Sequence, residues 1–156
     1  MFGIQKLEYN YVLLVAVISW VSAQLIKTAI NAAKYKKLNP ERLFGAGGMP
    51  SSHSSFVCSA LVAIARQDGV GSTNFALIFI IAVVVMYDAM GVRRAAGQHA
   101  QELNRIRKVI FDKSTITPDE KIKEFKEYLG HTPFEVLGGA MLGIIISLVV
   151  PRRVSV

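Results

Sequence analysis

The chain has 156 residues, 52% of them apolar, with a mean hydropathy of +0.39 and a formal net charge of +7. That length bounds it to one domain, and so apolar a composition favours a membrane protein over a soluble globule. Basic and aromatic residues do not interleave as on an RNA-binding surface, which argues against a nucleic-acid partner, and the single cysteine, Cys58, excludes an intramolecular disulfide or a cysteine metal cluster.

The apolar residues gather into four blocks separated by charged connections, which predicts an all-α integral membrane protein: a four-helix transmembrane bundle forming a single domain over residues 1–156. The first block, about 11–30, follows Glu8 and continues through Gln24 and Lys27 rather than into a small-residue cleavage site, so it is expected to remain in the mature protein. The second, about 51–66, opens on a serine cluster and is short for a span, which places its N-terminus in a polar recess below the membrane surface. The third, about 73–92, ends in the lone acid Asp88.

A polar cytoplasmic segment, 93–133, follows and holds two copies of one helix-start signal. Thr117-Pro118-Asp119-Glu120 and Thr132-Pro133-Phe134-Glu135 each offer an N-cap threonine, a proline at the first position and a glutamate reaching back. The first copy opens a short amphipathic helix carrying Ile122, Phe125 and Leu129, suited to a membrane surface. The second opens the fourth block, 134–150, whose Gly138, Gly139 and Gly143 permit close helix contact within the monomer or in a homo-oligomer.

Orientation follows from charge. With four spans, Lys6, Arg66, Arg152 and Arg153 share one side, and the other fourteen of the 18 basic residues fall on the opposite side, which the positive-inside rule makes cytoplasmic. His53, His99 and His131 lie at that cytoplasmic side of a multi-pass cell-membrane protein.

The stretch Gly47 to Ser55, GGMPSSHSS, is built to hold a phosphate: glycines allow close backbone approach, Pro50 suits a first helical turn, and the free N–H groups with the Ser51 and Ser52 hydroxyls point at an anion. His53 is then placed to move a proton. Paired with GVRRAAGQHAQELN, Gly91 to Asn104, this stretch resembles the type-2 phosphatidic acid phosphatase and vanadium haloperoxidase superfamily, whose motifs are Lys-x6-Arg-Pro, Pro-Ser-Gly-His and Ser-Arg-x5-His-x3-Asp. Pro50-Ser51-Ser52-His53 matches the second with serine for glycine, and Arg93-x5-His99 keeps the spacing of the third. The four-block layout and Gly130-His131-Thr132-Pro133 resemble the divergent branch of small membrane proteins that includes the YuiD type. No Lys-x6-Arg-Pro is present, Val92 stands at the third motif's serine, and Leu103 stands at its aspartate, leaving Glu102 or Asp88 as the orienting carboxylate.

The resemblance implies a lipid phosphatase acting on a phospholipid or polyprenyl phosphate without metal or cofactor. His99 would attack phosphorus, His53 would protonate the leaving alkoxide, and Lys27, Arg42, Arg93 and Arg94 with Ser51 and Ser52 would bind the phosphoryl oxygens. His131 is the reserve nucleophile. The plainer readings make His99 a solvated histidine, Glu135 a cap, Asp88 a salt-bridge partner of Lys27 or Arg93, and the whole chain a non-catalytic phospholipid-binding scaffold that keeps the phosphate cradle.

Overall fold

Four of the five described helices start where the sequence supplies a side-chain cap. Asn10 Oδ1 accepts from the Leu13 N–H at 3.0 Å, Ser51 Oγ from Ser54 at 3.3 Å, and Ser72 Oγ from Phe75 at 3.1 Å. Thr132 and Glu135 form a complete capping box with Pro133 at the first helical position. The computed structural model describes residues 10–35, 48–111, 125 and 130–152, and among these it is all-α, with no strand. Five helices follow in order: α1 Tyr11–Tyr35, α2 Ser52–Asp68, α3 Thr73–Met90, α4 Val92–Phe111 and α5 Pro133–Val149.

Three departures from the sequence reading matter. The 93–133 connection contains a full helix, α4. Pro50 precedes the N-cap rather than occupying the first turn, because the Ser51 hydroxyl takes the capping role. α1 also runs on to Tyr35. The amphipathic helix expected after Thr117 lies outside the described residues.

α2 is the central helix, packed against α1, α3 and α5, whereas α4 touches only α3 among the described helices. The interior is made of small and polar side chains. Ser19, Ser51, Ser54, Ser55 and Ser59 are buried beside Ala16, Ala23 and Ala63, while Leu77, Ile80, Val84, Leu137 and Leu148 face outward. In water such an arrangement would expose far more apolar surface than a monomer carries, but in lipid it lets backbones approach closely and hydroxyls join helices. The Ser19 and Ser55 hydroxyls lie 2.6 Å apart, each within reach of the other's carbonyl oxygen. A Cβ on Gly139 or Gly143 would overlap the carbonyl oxygen of Ser51 or Ser55, so these two glycines serve the α2–α5 contact of the monomer. Cys58 is a buried core residue whose sulfur lies 3.8 Å from that of Met86.

Two stretches, Tyr11–Ala33 and Thr73–Ile110, are long and apolar enough to cross a membrane, and α5 is a shorter apolar helix. The bundle has two distinct ends. At one, the Arg66 guanidinium donates to the Tyr11 hydroxyl at 2.6 Å, to the Val150 carbonyl at 3.1 Å and to the Ser147 carbonyl, and Arg152 donates to the Arg66 carbonyl at 2.7 Å. The other end holds the N-termini of α2 and α5.

Candidate functional site

Backbone hydrogen bonds draw four elements together at this second end. Ser51 N donates to the Glu135 carbonyl at 2.9 Å, which locks the starts of α2 and α5 side by side. His131 N donates to the Ala89 carbonyl at 3.0 Å, tying the turn before α5 to the last turn of α3. Gly48 adopts φ 98°, a left-handed conformation open to glycine, and a Cβ there would sit 3.6 Å from Lys27 Cγ, so the glycine loop lies along the stem of a lysine from α1.

These constraints bring His53, His131, Glu135 and Lys27 together. The rings of His53 and His131 are 6.2 Å apart, edge to face. His131 is 2% exposed, and its Nδ1 lies 3.3 Å from Glu135 Oε2, which also accepts the Thr132 N–H at 2.9 Å. Glu135 is therefore both a cap and the carboxylate that orients a histidine. An imidazole that donates from Nδ1 to a carboxylate carries its lone pair on Nε2. Among the described residues His131 Nε2 and Lys27 Nζ are buried without a hydrogen-bond partner, as is Gln24 Oε1 one turn from Lys27 on α1. Buried polar atoms of this kind call for a ligand or water.

Burial pushes the His131 imidazole below its ordinary value. The Glu135 hydrogen bond opposes that shift, the Lys27 charge adds to it, the Glu135 charge opposes it and His53 adds to it. His131 thus favours its uncharged form, a base beside the buried Lys27 side chain, a pairing suited to receiving an anion.

The remaining expected residues are distributed differently. Ser51 and Ser52 are buried at the start of α2, but the Ser51 hydroxyl is engaged within the turn, accepting from the Ser54 amide and from the Ser54 hydroxyl at 3.0 Å. Asp88 is half-buried in the last turn of α3, next to the Ala89 that holds His131. His99, Glu102 and Arg94 are exposed on α4, which makes no contact with α2 or α5, so the structure does not bring His99 to His53. Arg93 lies in the first turn of α4, and Arg42 lies outside the described residues.

The sequence places the third motif's spacing on His99 and holds His131 in reserve, and His131 carries a spacing of its own. His131-x3-Glu135 has the spacing of that motif's His-x3-Asp, with glutamate for aspartate.

A family model described as "Divergent PAP2 family" matches residues 8–146. The "Uncharacterized membrane protein YuiD" of Bacillus subtilis (strain 168) is 38% identical over 154 residues, covering 92% of this chain and 96% of the relative. No solved structure matches the chain.

Proposed function

Since the chain belongs to the divergent PAP2 family, we propose that it is a membrane lipid phosphatase in which His131 is the nucleophile, Glu135 its orienting base and His53 the general acid. The observation that carries this reading is the buried His131, held through Nδ1 by Glu135 with its Nε2 turned away from any described partner, beside His53 and Lys27.

The chemistry follows from those positions. Lys27 and the N-terminal end of α2 bind the oxygens of a phosphomonoester or diphosphate. The Nε2 lone pair of His131 forms the N–P bond as the P–O bond to the leaving group breaks; the electron pair departs on that oxygen, an alkoxide from a monoester or a lipid monophosphate from a diphosphate, and His53 supplies its proton. Glu135 stabilises the charge that develops on the His131 ring, as the carboxylate of a serine-protease triad does for its histidine. Water then cleaves the phosphohistidine, with His53 as the base, and releases inorganic phosphate. The arginines at 42, 93 and 94 remain candidates for steadying the transferring group, and the site opens toward the cytoplasmic leaflet.

The test is phosphate release by purified protein from phosphatidate, phosphatidylglycerophosphate and polyprenyl diphosphate, together with trapping of the phosphoenzyme. His131→Ala is expected to abolish both. His53→Ala should still turn over an aryl phosphate whose phenolate leaves without a proton, and His99→Ala should stay within a few-fold of wild type. Loss of activity in His99→Ala with a phosphoenzyme surviving in His131→Ala would return the nucleophile to α4. Failure of the wild type to release phosphate from any of these lipids, while still binding them, would leave the scaffold reading.

A further inference from the structure

α4 presents three faces, and only one of them is buried. Gly97, Ala100 and Asn104 are buried, and the Asn104 side chain clamps the backbone of Phe125, donating to its carbonyl at 3.0 Å and accepting its N–H at 3.1 Å. Beside that face runs a stripe spaced by three and four residues. Leu103, Ile106 and Ile110 are 50%, 52% and 58% exposed, and Val92 at the head of the helix is 68% exposed. On the opposite side Arg94, Gln98, Gln101, Arg105 and Lys108 are exposed, and this face contains no acid.

The position of α4 says what covers the stripe. α3, the most lipid-facing helix, ends at Met90 and α4 begins two residues later. Gly91 between them, at φ −95° and ψ −92°, departs from helical backbone geometry where the chain leaves the apolar stretch. A helix with one apolar face, one cationic face and a start at the bilayer exit fits the plane of the membrane surface.

We propose that α4 lies in the membrane–water interface, with Val92, Leu103, Ile106 and Ile110 in the acyl boundary and Arg94 and Arg105 among anionic lipid headgroups. The partner is an anionic leaflet. A near-surface arginine contributes about a five-fold gain in the inserted population when anionic lipid is present. The inference rests on α3 as a membrane helix and stands whether or not the chain hydrolyses phosphate.

The experiment uses full-length protein with Cys58→Ala, spin-labelled at Leu103→Cys or Gln101→Cys. These positions lie about 160° apart around the helix. In vesicles of phosphatidylcholine with one third phosphatidylglycerol, the label at 103 should collide more with oxygen than with a water-soluble nickel chelate, and the label at 101 should show the reverse. Replacing both Arg94 and Arg105 with Gln should cut the inserted population of the 103 label by an order of magnitude or more in those vesicles, with little change in pure phosphatidylcholine. Equal nickel access at the two positions would overturn the proposal by placing α4 in water. Spin–spin broadening at 103 that vanishes on dilution with unlabelled protein would overturn it in favour of a second copy of the chain.

Discussion

Glu135 joins three contacts in one residue: its carboxylate accepts the Thr132 N–H and faces His131 Nδ1, while its carbonyl accepts Ser51 N–H. Glu135→Gln keeps an oxygen for the cap and leaves the backbone contact, so thermal stability should fall by less than about 1 kcal/mol. It removes the negative charge that supports a developing imidazolium, so phosphoenzyme formation should slow by about 10²- to 10⁴-fold. A variant that unfolds, or one that keeps full rate, would contradict this division of labour. The pH dependence has a definite sign. Burial lowers the His131 value below the ordinary 6.5, so the folded protein resists a proton that the unfolded chain accepts. Stability from this group is full above pH 6.5 and declines as pH falls below it. The acid limb of phosphoenzyme formation should accordingly lie below 6.5 and move lower still in Glu135→Gln; a wild-type limb at or above 6.5 would contradict the burial argument. The His53 end of the site was legible because Pro-Ser-x-His is contiguous. The His131 end was less so, because the capping box of Thr132 and Glu135 is a sufficient local explanation of the same glutamate, and nothing local shows that the turn before α5 hangs from Ala89.

At the scale of helices, the α2–α5 contact sets the site, since it fixes Ser51 against Glu135. Gly143 lies one turn of helix beyond Gly139, and a Cβ on it would overlap the Ser55 carbonyl and come within 3.0 Å of Ser59 N, both backbone atoms that cannot yield. Gly138 instead meets the Cε of Met49 at 3.0 Å, the far end of a flexible side chain. Gly143→Ala should therefore cost about 1–3 kcal/mol through forced separation of the helices, and Gly138→Ala much less. Thermal unfolding of the two variants in detergent checks this, and equal transitions would mean that the helices can separate at Gly143 without cost. The small-residue spacing Gly139-x3-Gly143 was visible in the sequence, but its partner was not, because a glycine seam is equally suited to a dimer. In the sequence α4 looks like part of a polar connection because its charges outweigh a stripe of single apolar residues, although Leu103, Ile106 and Ile110 carry the helical period.

For the whole molecule, the two ends differ in the work their charges do. Arg66 binds Tyr11, Ser147 and Val150, and Arg152 returns to the Arg66 carbonyl, so the beginning of α1 and the ends of α2 and α5 share one side of the bundle. Those cations close helix ends by satisfying terminal carbonyls. The histidine site lies at the other end, on the same side as the start of α4 and most of the basic residues among those described, and that asymmetry is the signal the positive-inside rule reads. Val70, in the turn between α2 and α3, is 72% exposed near the Arg66 end, while Gln101 is exposed on α4. With Cys58→Ala as background, a cysteine at position 70 should react with an impermeant thiol reagent in intact cells, and one at position 101 only after the membrane is opened. The reverse pattern would turn the molecule over, place His131 on the outer face and exclude an inner-leaflet lipid as its substrate. Labelling of both positions from outside would mean that the apolar stretches between them do not cross an odd number of times, and the four-span arrangement would fall with it.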